Sequence, residues 1–205
     1  MKIFTVAFNY PAYNKEGVGP LYYNEEGPVV LSRPDTTLVK GGKPCFIPDD
    51  MGAVSGEAHL VVRVCRLGKS IPERFAHRYY DAFTCGMAFA ATDLLERLQR
   101  QGLPWDTATG FDGATAIGAW LPVEEGGVPQ HNFRLDIDGV TMQEGDTGQM
   151  VRSIDSIIAH ISRHCTLRTG DIIFTGAPAP PFRVRENQHV TGYLDDRKLL
   201  EFNIK

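Results

Sequence analysis

The run VSGEAHLVVRV, residues 54–64, constrains the chain most. Val61, Val62 and Val64 are β-branched, stiff at χ1, and fit a pleated surface better than a helix. The segment is therefore read as a strand. Successive strand side chains point to opposite faces, so Glu57 and His59, two apart, share one face. A carboxylate and an imidazole side by side are either half of a metal site or the remainder of one that has decayed.

Other segments carry the same period. KIFTVAF (2–8) reads as a first strand and PVVLSRP (28–34) as a short one closed by proline. Residues 11–28 are rich in Pro, Gly, Asn and Tyr and read as a long loop, of a length that is often functional. FRLDIDGVTMQ (133–143) reads as a hairpin with Asp138-Gly139 as its two-residue turn. QHVTGYLDDRKLLEF (188–202) reads as a closing hairpin around Asp195-Asp196. Residues 71–82 include a short helical piece, and FTCGMAFA (83–90) is apolar without a decisive period.

Two segments have helical spacing. TDLLERLQRQG (92–102) has Thr92 as a cap, an apolar face of Leu94, Leu95 and Leu98, and Gly102 as its stop. TGQMVRSIDSIIAHISRHC (147–165) carries a stripe of Met150, Ile154, Ile157, Ile158 and Ile161, which reads as core. Many strands with two main helices predict a β-rich α+β fold. The 205 residues suit one domain spanning 1–205.

Composition narrows the function. The formal net charge is −4 with no long run of one sign, so no nucleic-acid stripe is expected. No apolar stretch approaches the ~20 residues of a membrane span. MKIFTVAFNY meets Asn9 too early for a signal peptide, so a cytoplasmic location is expected. Cys45, Cys65, Cys85 and Cys165 form no CxxC pair and are expected to stay reduced. There is no GxGxxG, Walker A loop or HExxH. GAVSG (52–56) fails as a nucleophile elbow because Ser55 is fourth, not third.

The segments NYPAYNKE (9–16), GPVVLSRPDT (27–36), FIPDD (46–50), GEAHLVVRV (56–64), GLPW (102–105), GFDG (110–113) and LRTGDIIFTGAP (167–178) fall in an order and spacing that resembles the fumarylacetoacetate hydrolase family, in its small single-domain branch. The resemblance implies a mixed β-sheet fold, a homodimer and a small-molecule ligand. It also implies a Mg²⁺- or Mn²⁺-dependent hydrolysis, decarboxylation or isomerisation of 2-oxo or β-diketo acids. The metal polarises an oxo or enolate oxygen and is held by carboxylates, two from a Glu-x-Glu strand and one from an Asp before a helix.

Residue by residue, the match is incomplete. Glu57 falls on the first Glu and His59 on the second. A gapless alignment puts the Asp at Ala88, with the family's Arg at Thr92 and its Gln at Leu95. A rival alignment uses Asp93, with Arg97 four residues on, but needs an insertion and a compensating deletion. The active-site Lys falls at Thr109. The lid His falls at Tyr13, while Glu16 remains as an acid/base candidate. Lys before Pro-Asp has become Arg33, and the Gly-Thr-Pro turn reads Gly176-Ala177-Pro178.

The resulting expectation is a weak or inactive catalyst, with Glu57 and His59 a vestigial metal pair and Thr92 and Thr109 at the substrate-binding positions. No cofactor, or a weakly bound divalent metal, is expected. The alternative is an active 2-oxo or diketo-acid hydrolase or isomerase with an altered site at Glu57 and His59. Imidazole there suits Zn²⁺.

Overall fold

The computed structural model describes residues 1–11, 27–124 and 127–205. Tyr13 and Glu16, and most of the loop expected over 11–28, lie outside the described residues. Two sheets dominate. The strands of the larger are β1 (Ile3–Ala7), β2 (Val29–Arg33), β3 (Leu38–Lys40), β4 (Val54–Val64), β5 (Tyr80–Ala91), β6 (Thr115–Ile117), β7 (Leu121–Pro122), β10 (Ile172–Phe174) and β11 (Phe182–Val184). Their order is β2-β1-β10-β4-β5-β6-β3, with β11 added to β4 and β7 to β5. The smaller sheet runs β13-β12-β8-β9, from β8 (Asn132–Ile137), β9 (Val140–Asp146), β12 (His189–Leu194) and β13 (Arg197–Asn203).

The larger sheet is mixed, with β1–β10 and β3–β6 parallel, and the smaller is antiparallel throughout; the strand-rich fold is as the β-branched runs predict. β4 and β5 form the central antiparallel pair, in register from Val54↔Ala91 to Val62↔Phe83. FTCGMAFA, ambiguous by period, is the middle of β5. It is buried almost throughout, which explains the missing alternation. Both hairpins form about the expected turns. Asp138 and Gly139 have φ of 51° and 81°, the left-handed pair a two-residue turn demands.

The helices differ from expectation at their starts. α1 spans Thr92–Arg100, but Thr92 is inside it and Ala91 is the cap. The Thr92 hydroxyl donates to Ser55 Oγ at 2.9 Å. Leu94, Leu95 and Leu98 are only half-buried, because α1 packs on the rim of the sheet. A four-residue α2 (Asp106–Thr109) follows. The long helix expected from residue 147 is shorter. Thr147–Gln149 is a 3-10 turn, and α3 is Ile154–His164. Ser153 ends the irregular stretch by accepting from Ser156 N at 3.1 Å, a side-chain cap that fixes the true start. Ile154, Ile157, Ile158 and Ile161 are buried as the stripe predicts, whereas Met150 lies outside the helix. The piece expected in 71–82 is a 3-10 turn over Glu73–Tyr79. All four cysteines are free. No helix of the described residues is long and apolar enough to cross a membrane.

Candidate functional site

Ser55, Glu57 and His59 lie two apart on β4 and therefore share one face. Across the strand pair their partners are Ala90, Ala88 and Gly86. Cross-strand partners share a face, so three polar side chains look over a row of the smallest residues. Gly86 is required there: a Cβ would sit 2.7 Å from Val61 Cγ2 and 2.8 Å from the Ala116 carbonyl.

His59 is fixed from behind. Its Nδ1 accepts the Gly176 N–H at 3.1 Å, and its ring meets Phe174 edge-on at 5.5 Å between centroids. Gly176 has φ of 128°, a value glycine tolerates, and a Cβ there would strike Asn9. Asn9 holds the turn in place: its Nδ2 donates to Thr175 O at 2.7 Å and to Arg152 O at 3.1 Å, and its Oδ1 accepts from Arg152 N. Sequence reading used Asn9 only as the start of a motif and missed this role.

Nδ1 is an acceptor, so the neutral imidazole carries its proton on Nε2. Nε2 lies 3.7 Å from Glu57 Oε2, too long for a hydrogen bond, and has no hydrogen-bond partner among the described residues. His59 is 1% exposed, against 28% for the Glu57 side chain. Burial drives the His59 pKa below its usual 6.5. Nearby Glu57 opposes that shift, and the Arg33 charge adds to it.

Arg33 is the residue whose importance sequence reading underrated. It is fully enclosed. Its Nε donates to Thr5 Oγ1 at 2.9 Å, and its Nη1 to the carbonyls of Phe89 at 2.8 Å, Thr109 at 2.5 Å and Ala114 at 3.3 Å. Burial pushes its pKa down to about 10, and the Glu57 charge works against that shift. A basic residue closing an otherwise apolar strand was the available signal.

Thr109 is therefore near the site through its carbonyl. Its hydroxyl turns to Asp106 O at 3.4 Å. Thr92 faces Ser55, two residues from Glu57 along β4. Neither threonine adds a positive charge. Asp93, the rival for the third ligand, accepts from Ala53 N at 2.8 Å and is exposed.

The described donors do not fit a hard divalent cation. Glu57 is the one carboxylate of the three expected positions, Ala88 offers no donor, and His59 presents a proton where a ligand presents a lone pair. Turning the tautomer would set His59 Nδ1–H against Gly176 N–H. No group of three or more His, Cys, Asp or Glu suited to a metal occurs among the described residues.

A family model described as fumarylacetoacetate (FAA) hydrolase C-terminal matches residues 2–205. The chain belongs to the fumarylacetoacetate hydrolase family. Mitochondrial oxaloacetate tautomerase FAHD1 of Mus musculus is 31% identical over 181 residues, 87% of this chain and 81% of that protein. Oxaloacetate tautomerase YcgM of Escherichia coli is 27% identical over 200 residues, 97% of this chain and 90% of that protein. Among solved structures, fumarylpyruvate hydrolase of Pseudomonas aeruginosa, in complex with Mn²⁺ and pyruvate, has a TM-score of 0.88 at 26% identity. That match covers 100% of this chain and 89% of the other. The relatives thus include a tautomerase and a hydrolase of 2-oxo acids, and a divalent metal occurs in the family.

Proposed function

We propose that this chain keeps the family fold while its site no longer runs metal-dependent chemistry on 2-oxo acids. It is then catalytically weak or silent toward such substrates and acts by binding. The observation that carries this reading is the register Glu57↔Ala88 beside a neutral, proton-bearing His59. A divalent ion needs anionic oxygens to offset its dehydration, and one carboxylate supplies too little. The Arg33 guanidinium, anchored by backbone carbonyls, interacts electrostatically with Glu57. What remains at the centre is a half-buried carboxylate, a neutral imidazole N–H and a fixed cation. Such a set can orient a small polar ligand by hydrogen bonds, but it lacks the Lewis acid that would polarise an oxo group.

The test is turnover of enol-oxaloacetate and of fumarylpyruvate, with and without Mn²⁺. The expected result is no metal-dependent rate above background. Metal-dependent turnover that disappears in Glu57→Ala would contradict the proposal. It would favour an active hydrolase or isomerase with an altered metal site at Glu57 and His59.

A further inference from the structure

Three segments remote from Glu57 meet side by side. Gly68 and Leu167 exchange backbone hydrogen bonds at 3.0 and 2.8 Å, Cys65 N donates to Tyr79 O at 2.9 Å, and Ser70 N donates to Ser162 O at 2.8 Å. These contacts join the loop after β4, the 3-10 turn Glu73–Tyr79 and the chain leaving α3. They gather Arg66, Lys69, Arg74, Arg78 and Arg168, all exposed. Among the described residues, none of these cations lies within 4.0 Å of a carboxylate. The carboxylates close in sequence are Glu73, Asp81 and Asp171; Asp81 is taken by Arg63 at 2.9 Å, and Asp171 by Lys2 at 2.6 Å and by the Arg168 backbone N–H at 2.8 Å. The chain as a whole has more acidic than basic residues, 25 against 21, so an unpaired basic cluster runs against its composition.

Three of the guanidiniums lie against aromatic rings. Arg74 Cζ and Arg78 Cζ lie 4.8 and 5.0 Å from the Phe75 ring centroid, and Arg66 Cζ lies 6.0 Å from that of Tyr79. A stacked guanidinium keeps its planar fork of N–H groups in one orientation and loses less freedom when it pairs. Phe75 is 36% exposed and Leu67 is 66% exposed. Arginine and aromatic side chains, with little lysine, are what protein interfaces concentrate.

We propose that this surface docks an acidic polypeptide segment of a partner protein, with its carboxylates paired to the forks of Arg74 and Arg78. A single-stranded nucleic acid would stack bases on an open aromatic face, but guanidiniums lie over Phe75. An anionic membrane attracts lysine as well as arginine and draws no benefit from stacked forks. An acidic chain gains from both charge and geometry. None of these residues belongs to the Glu57 site, so the two proposals stand or fall separately.

The test is fluorescence anisotropy of the full chain with a labelled oligoglutamate peptide, beside a single-stranded oligonucleotide and phosphatidylserine vesicles. Oligoglutamate is expected to bind tightest. Arg74→Glu/Arg78→Glu should weaken it about tenfold or more. Arg74→Lys/Arg78→Lys, which keeps the charge, should weaken it about threefold or more. Lys43→Glu/Arg185→Glu, an equal charge change elsewhere, should stay within about twofold. An unaffected lysine variant, an equal loss in the distant pair, or tighter binding of oligonucleotide or vesicles would overturn the proposal. So would a homodimer by light scattering that Arg74→Glu/Arg78→Glu dissolves, because the patch would then face a second copy.

Discussion

Glu57 stands directly across the β4–β5 pair from Ala88. A carboxylate at 88 would share its face and lie about 5 Å away between Cβ atoms. Two substitutions should therefore rebuild a hard-cation site. His59→Glu/Ala88→Asp is expected to gain Mn²⁺ binding by at least about tenfold over the parent chain, since ligand charge sets the affinity of such sites. Calorimetry on both proteins measures this, and unchanged binding would count against the register argument. The double substitution leaves Gly176 N–H without its acceptor, so a lower melting temperature is expected alongside.

His59 also predicts a pH dependence. Its folded pKa lies below the unfolded value of 6.5, because burial disfavours the charged ring. Below pH 6.5 the unfolded chain takes up a proton that the folded chain resists. Stability is then lost as pH falls from 6.5 through the folded pKa and is unaffected by this group above 6.5. His160, also held low by burial and by its cationic neighbours, acts in the same direction. Urea unfolding at a series of pH values should show this slope, and His59→Gln should flatten it. An equally steep slope in the variant would assign the effect elsewhere.

Arg33 should matter more than a conservative exchange suggests. Arg33→Met removes the donor shared by three carbonyls and leaves them buried. A loss of about 1–3 kcal/mol is expected, as for buried acceptors left without their donor. Arg33→Lys retains the charge but not the fork, and should fall between the parent chain and Arg33→Met. The midpoint of urea unfolding reports both. A change below about 1 kcal/mol in Arg33→Met would show that these bonds are replaced by water.

Gly86, opposite His59, tests the packing of the site floor. Gly86→Ala places a methyl against Val61, Ala116 O and Phe174 within 3.0 Å. Overpacking of this kind costs about 1–3 kcal/mol. Thermal unfolding of the variant should show the loss, and an unchanged melting temperature would mean the strands separate freely there.

What the sequence disclosed was local or periodic. Val61, Val62 and Val64 gave a strand, the Asp138-Gly139 turn gave a hairpin, and the isoleucine stripe gave the buried face of α3. Two-residue spacing put Glu57 and His59 on one face. Long-range partners were not readable. The start of α3 depends on whether Ser153 or an earlier residue captures an amide. The half-burial of Leu94, Leu95 and Leu98 depends on where α1 lands on the sheet. The tautomer of His59 is set by Gly176, and the role of Arg33 by carbonyls at 89, 109 and 114. Partners at such separations leave no local pattern. The unpaired basic cluster was hidden for the same reason: its charges come from different segments.

The most direct measurement is calorimetric titration of the metal-free protein with Mn²⁺, repeated with Glu57→Ala. One carboxylate beside a proton-bearing imidazole predicts no saturable binding up to about millimolar metal, and the same flat trace in both proteins. Micromolar binding that vanishes in Glu57→Ala would contradict the account and return the site to metal chemistry.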